Sequence, residues 1–365
     1  MCNNRQAYDS MEPVKYRITW KTFLVPLVGL VAFFLYILIF NVDLFEIVTK
    51  IQHANPYPYI LATIATLLDT LFFALAWHSL LRFLSVQISR IRSYLFVWVG
   101  IFVDTLIPAE SVSGEISKIY LVNKQQSGAA GKATASIVAQ RLIGMSINLG
   151  TLLIGASLLL IETQLGGILL TLILFLVALT LFFLVLVLLL CVKENWTMRI
   201  VDGIITLAER ISRGRWKLSK LREEAIEAAK AFHVAIKEYA HAPKTMFTAA
   251  FFSIISWMLT LAVLYLTFLS IGYPQISWSA ILVVSAIFAA VKAIPVGVPF
   301  EVGLPEITMT SLLIAFNVPG DISATATILM RLLTLWLRFF IGFAAQQWIG
   351  IKTITTGTNI ETALR

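Results

Sequence analysis

Apolar residues run along this chain in long blocks rather than in the short alternating stretches of a water-soluble fold. Residues 22–42 carry no charge, and residues 54–81 are interrupted only by Asp69 and His78. Residues 142–161 and 163–192 are uncharged, with Glu162 alone between them. Residues 245–291 are uncharged for 47 positions, enough for one span and most of another segment. A last block, 322–350, is broken by Arg331 and Arg338. About 20 apolar residues in a helix cross about 30 Å of hydrocarbon. The pattern therefore predicts an all-α, polytopic membrane protein.

Charge decides how the spans are threaded. Basic residues concentrate in residues 1–21 (Arg5, Lys15, Arg17, Lys21), in the 82–92 turn (Arg82, Arg90, Arg92), and in 193–244, where eleven Lys/Arg face seven Asp/Glu. The positive-inside rule places these segments and both termini in the cytoplasm of a cell-membrane, multi-pass protein. Residues 92–132 must then leave and return on the cytoplasmic side, while 277–319 leave and return outside. The apolar arm 94–107 has 14 residues, or about 21 Å as a helix, too short to cross. The expectation is about six full transmembrane helices plus two re-entrant hairpins, with Pro108 and Pro295 at the tips, arranged as an inverted-topology repeat. The first repeat covers about 54–161 and the second about 245–350. The basic loop 193–244 lies between them within one integral domain, 22–350, followed by a tail at 351–365.

Both hairpins carry the same polar unit: a Pro/Gly-broken apolar stretch, a glutamate, and a following helix bearing an arginine. In the first, Pro108 is followed by Ser113, Gly114 and Glu115, then by Ala133-Thr134-Ala135-Ser136 and Arg141. In the second, Pro295 is followed by Gly303, Pro305 and Glu306, then by Ala324-Thr325-Ala326-Thr327 and Arg331. Ionisable groups in hydrocarbon cost at least about 2.5–3.5 kcal/mol each, so they usually mark a site or a pathway. Broken segments at matching places in two halves point to a transporter's binding site.

Gly114-Glu115 with Lys118 and Leu121, then residues 135–138 (Ala-Ser-Ile-Val) and Arg141, resembles the first signature of the flippase-like membrane domain of lysylphosphatidylglycerol synthases. Gly303-Leu304-Pro305-Glu306, Met309-Thr310 and the run from Ile328 to Trp336 through Arg331 resemble the second. The likeness covers roughly residues 20–350 and is greatest to stand-alone, often archaeal, members. It implies lipid flipping between leaflets. Lys118 stands where that family usually has arginine, and a Gly-Gly-Leu-Gly run common there is absent from 296–302. No aminoacyl-transfer or glycosyltransferase domain follows the spans, so synthase activity is not carried over.

The candidate substrate-binding residues are Glu115, Lys118, Arg141, Glu306, Arg331 and Arg338. A guanidinium fork suits a lipid phosphate, although each Glu–Arg couple equally suits a buried structural pair. Glu306 follows a proline at a helix start, where a carboxylate also fits the helix dipole, and Ser113 could cap the helix bearing Glu115. Thr134, Arg141 and Asn148 recur every seven residues on one face, as do Arg331 and Arg338. Asp69 lies mid-span. Asp104 and Lys292 precede the two prolines in matching positions and could pair. His78 reads as an interfacial residue.

The 193–244 loop reads as amphipathic helices, with Trp196, Ile200, Ile204, Leu207 and Ile211 at helical spacing and Arg199, Arg210 and Arg213 available to anionic headgroups. A plain topology anchor is the simpler reading. No metal spacing, P-loop or serine elbow occurs, so neither metal nor cofactor is expected. Cys2 and Cys191 are too few and too far apart for a disulfide framework. Basic residues flank spans, which disfavours nucleic acid. The expected partners are membrane lipids with an anionic or phosphate-bearing headgroup, and a separately encoded lipid-modifying enzyme is compatible with the pattern. The favoured function is a lipid translocator without chemistry of its own, moving a phospholipid or polyprenyl-phosphate-linked lipid by alternating access. The alternatives are a membrane-embedded headgroup transferase or hydrolase, with Glu115 and Glu306 as acid and base, and a scaffold for that separate enzyme.

Overall fold

The computed structural model describes residues 45, 49–50, 52–107, 112–162, 167–211, 219–292 and 303–363. The expected span at 22–42 and the tip residues Pro108 and Pro295 lie outside them. Every regular element among the described residues is a helix. They form α1 (Pro56–Phe83), α2 (Arg90–Leu106), α3 (Val112–Gln125), α4 (Ala130–Glu162), α5 (Gly167–Val192), α6 (Glu194–Ile211) and α7 (Ser219–Ala240). Then follow α8 (Pro243–Ser270), α9 (Trp278–Lys292), α10 (Leu304–Ala315), α11 (Gly320–Arg331), a π-helical turn (Leu332–Leu337) and α12 (Arg338–Ala363). Among them, five segments are long and apolar enough to cross a membrane: Pro56–Phe83, Ala130–Ile161, Leu170–Val192, Pro243–Ser270 and Gly320–Gly350.

Local chemistry sets the helix starts. Asn55 caps α1 by accepting the Tyr57 N–H at 3.0 Å, and Pro56 takes the first turn, where its missing N–H costs nothing. Pro243 opens α8 in the same way. Both helices have 28 residues, and they pack together along their length. Their sense is antiparallel. The Asn55 N–H at the start of α1 donates to the Ser270 carbonyl at the end of α8, at 2.7 Å. At the other end, the Tyr239 hydroxyl just before α8 donates to the Leu80 carbonyl near the end of α1, at 2.9 Å.

The short helices pack as two hairpins. The arms α2 and α3 have 17 and 14 residues, and α9 and α10 have 15 and 12. At 1.5 Å per residue none exceeds about 26 Å. The entrance and exit of the first hairpin meet at one end of the protein, where the Gln87 N–H donates to the Gln126 side chain at 2.9 Å and Lys132 donates to the Leu84 carbonyl at 3.0 Å. Ile276, before the first arm of the second hairpin, and Val318, after its second arm, belong to one buried cluster. They lie at the opposite end, where Lys50 pairs with Asp321 close to the Asn55–Ser270 contact.

Each hairpin's first arm packs on the long helix of the other half: α9 on α4, and α2 on α12. A glycine permits each approach. A Cβ on Gly155 of α4 would lie 2.8 Å from the Val283 side chain, and one on Gly342 of α12 would lie 2.6 Å from the Trp98 carbonyl oxygen. The exterior is apolar, with Leu174, Phe175, Phe182 and Phe183 of α5 exposed, as expected where lipid tails are the solvent.

Candidate functional site

The second hairpin holds its glutamate at the start of α10. Gly303, at φ 105°, supplies a left-handed turn before Leu304 and Pro305. Glu306 then uses both carboxylate oxygens. Oε2 accepts the Gly303 N–H at 2.6 Å, and Oε1 accepts Arg331 Nε–H at 2.5 Å. Both side chains are only 5% exposed. Thr310 donates to Thr327 at 3.0 Å and ties α10 to α11 beside this pair. The helix-start and ion-pair readings of Glu306 thus hold together.

The first hairpin makes the equivalent bond in a different setting. Arg141 Nε–H donates to Glu115 Oε1 at 2.6 Å, with side chains 42% and 24% exposed respectively. The helix start is stabilised from outside. Asp104 of α2 accepts the Gly114 N–H at 2.6 Å and the Ser113 hydroxyl at 2.8 Å. The cap is therefore Asp104 rather than Ser113, whose hydroxyl is a donor to it. Gly114 must be glycine for α3 to lean on α2, because a Cβ there would lie 2.3 Å from both Asp104 Oδ2 and the Gly100 carbonyl oxygen. One turn on, Lys118 is 6% exposed, with its ammonium 5.7 Å from the ring centre of Phe73 and 5.2 Å from that of Trp77. Two aromatic faces hold this cation, a contact that residue spacing does not reveal.

A third charged pair joins the halves. Asp69, buried in the middle of α1, accepts the Ser256 hydroxyl of α8 and pairs with Arg338 of α12. Ser256 had no sequence signal, being one serine in an apolar helix. The seven-residue spacing puts Arg331 and Arg338 on one stripe, yet they serve different carboxylates, Glu306 and Asp69. The π turn Leu332–Leu337 lies between them, and its wider winding changes the angular relation of the residues it separates. Asn148 donates to the Ala286 carbonyl at 3.3 Å, across the α4–α9 contact. Lys292 closes α9.

His78, near the end of α1, is buried between α1 and α2, with Nδ1 3.0 Å from the Ser93 hydroxyl. In the basic loop, Trp196, Ile200, Ile204 and Leu207 form an exposed row on α6. Its polar side is pinned to α7 through Arg222, which reaches Asp202 at 3.0 Å and Thr206 at 3.2 Å.

Short hairpins facing opposite ends of a helical bundle, each with a glutamate held by an arginine on the next helix, define an integral membrane protein built around intramembrane polar pairs. The chain belongs to the family described as the lysylphosphatidylglycerol synthase TM region, whose pattern matches residues 23–342. It is 24% identical over 294 residues to a UPF0104 membrane protein of Pyrococcus horikoshii, covering 78% of this chain and 84% of that one. It is also 24% identical over 340 residues to one of Methanocaldococcus jannaschii, covering 91% and 96%. These relatives agree with the stand-alone, archaeal-type resemblance seen in the motifs.

Proposed function

We propose that this protein moves a phosphate-bearing lipid between leaflets without altering it, by alternating access through a polar site formed by the two hairpins. The observation that carries the reading is the unequal state of the two Glu–Arg pairs. The same bond, Nε–H to Oε1, spans 26 residues in the first half and 25 in the second. It is open in one half and closed in the other. A site reached from one side at a time needs such a difference, and a purely structural pair does not. An inverted repeat accounts for it: α1 and α8 run antiparallel, and the hairpins open at opposite ends. Exchanging the halves then exchanges the open and closed pairs.

In this reading the headgroup phosphate engages Arg141 in competition with Glu115, with Lys118 adding charge from its aromatic seat. Glu306 and Arg331 form the counterpart that opens when the first pair closes. Catalysis would be better served by acid and base at one interface than by groups divided between opposite hairpins. The test is reconstitution in liposomes with labelled lipids of several headgroups, scoring both leaflet exchange and covalent change. Exchange without new lipid species is the expected result. Modified headgroups would make the protein an enzyme, and neither exchange nor modification would leave the scaffold reading.

A further inference from the structure

At the end of the molecule where the first hairpin opens, the turn between α1 and α2 borders an open recess of about 560 Å³. Its wall consists of His78, Arg82, the stretch from Ser85 to Ser89, and Arg90, and it includes no acidic residue. We propose that this recess binds a phosphate group, a site separate from the Glu–Arg pairs. Topology alone calls for cations near this end of the span. It does not require that they converge on one acid-free hollow.

Two kinds of donor surround the space. Arg82 and Arg90 are exposed and enter no ion pair among the described residues, so their guanidinium forks are uncommitted. Such forks match the oxygens of a phosphate. The recess also contains the start of α2. Ser89 caps it by accepting the Arg92 N–H at 3.3 Å, while the first-turn N–H groups of Arg90 and Ile91 have no acceptor among the described residues. A helix start of this kind favours an anion. His78, 8% exposed, forms the inner wall; its Nδ1–H donates to the Ser93 hydroxyl, which in turn donates to the Ser89 carbonyl and so fixes the ring against the start of α2.

The hollow is prebuilt. Ser85 adopts φ 59°, an uncommon conformation for a residue with a side chain. The turn is braced from the far side of the hairpin by Gln126 on the Gln87 N–H and by Lys132 on the Leu84 carbonyl. Lys132 adds a further positive charge behind the wall. The site lies where α1 ends as a membrane span, at the level of lipid headgroups, so a lipid phosphate or a free phosphate ion can each reach it.

The experiment uses the full chain in nanodiscs and follows modification of individual arginines by phenylglyoxal with mass spectrometry. Three conditions are compared: phosphatidylcholine alone, phosphatidylcholine with phosphatidylglycerol, and phosphatidylcholine with inorganic phosphate in the buffer. Phosphatidylglycerol should slow modification of Arg82 and Arg90 several-fold and leave Arg92 and Arg199 unchanged. Equal protection by inorganic phosphate would make the ligand a free anion and support the same site. Equal protection of all four arginines by lipid would overturn it in favour of diffuse surface attraction, and no protection at Arg82 and Arg90 would overturn it outright. As a second measurement, the variant Arg82→Gln/Arg90→Gln should retain phosphatidylglycerol several-fold less in native mass spectra. Glu115→Gln should retain it as the unmodified chain does, even if that variant no longer exchanges lipid.

Discussion

The two Glu–Arg units share one bond and almost one spacing, yet their surroundings divide them. In the second half the carboxylate is used twice, by Arg331 and by the Gly303 N–H, in a dry enclosure. In the first half the capping task has passed to Asp104, and Glu115 pairs with Arg141 in a partly open setting. Three residues after each glutamate stands a buried side chain, Lys118 in the first half and Met309 in the second. Transferring the cap to a neighbour thus frees a carboxylate to exchange partners. The first pair is the more open of the two, and the second ties α10 to α11 in a buried setting.

The largest consequence concerns stability. Arg331→Gln would leave Glu306 buried without its partner, and should cost about 3–5 kcal/mol. Arg141→Gln, at an open pair, should cost less than about 1 kcal/mol. Thermal unfolding of the two purified variants would read the difference, and equal losses would break the contrast between the halves. The glycine contacts should show a smaller asymmetry. Gly342→Ala meets a backbone carbonyl and should cost about 1–3 kcal/mol, with Gly155→Ala, which meets side chains, towards the lower end of that range in the same assay.

Function should divide the opposite way. Glu115→Gln and Arg141→Lys should fold to within about 1 kcal/mol of the unmodified chain. Arg141→Lys should nevertheless slow lipid exchange on the order of tenfold, because a lysine cannot supply the planar fork. Normal exchange by Arg141→Lys would reduce the open pair to a structural contact. The least disturbing test sharpens the inverted relation itself. Single cysteines at 125 and 220 should label only from the cytoplasm, and those at 163 and 318 only from outside. External labelling at 125 would mean that the first hairpin crosses, and the exchange of open and closed states would lose its basis.

Much of this architecture was legible in the order of residues. Long uncharged runs became spans, arms too short to cross became paired hairpins, and Glu115 and Glu306 met the arginines one helix later. Those features depend on length and order, which a chain displays openly. The remaining contacts depend on how helices are rotated against one another. Asp104 lies nine residues before Ser113, and its capping role appears only once α3 folds back on α2. Lys118 finds Phe73 and Trp77 on a helix two elements earlier. The stripe of Arg331 and Arg338 was read on uniform α-helical winding, and the π turn between them removed that premise. His78 stands near a span end, and its contact with Ser93 exists only because α2 packs over it.

The meeting of Asp69 and Ser256 sets the register of the bundle. Each is the fourteenth residue of its 28-residue helix, so their hydrogen bond ties the midpoints of two antiparallel helices together. Arg338 reaches the same carboxylate from α12, so three helices are fixed against one another at one point. Sliding α1 along α8 by a single turn, about 5.4 Å, would break both contacts and leave a carboxylate without its partners inside an apolar bundle.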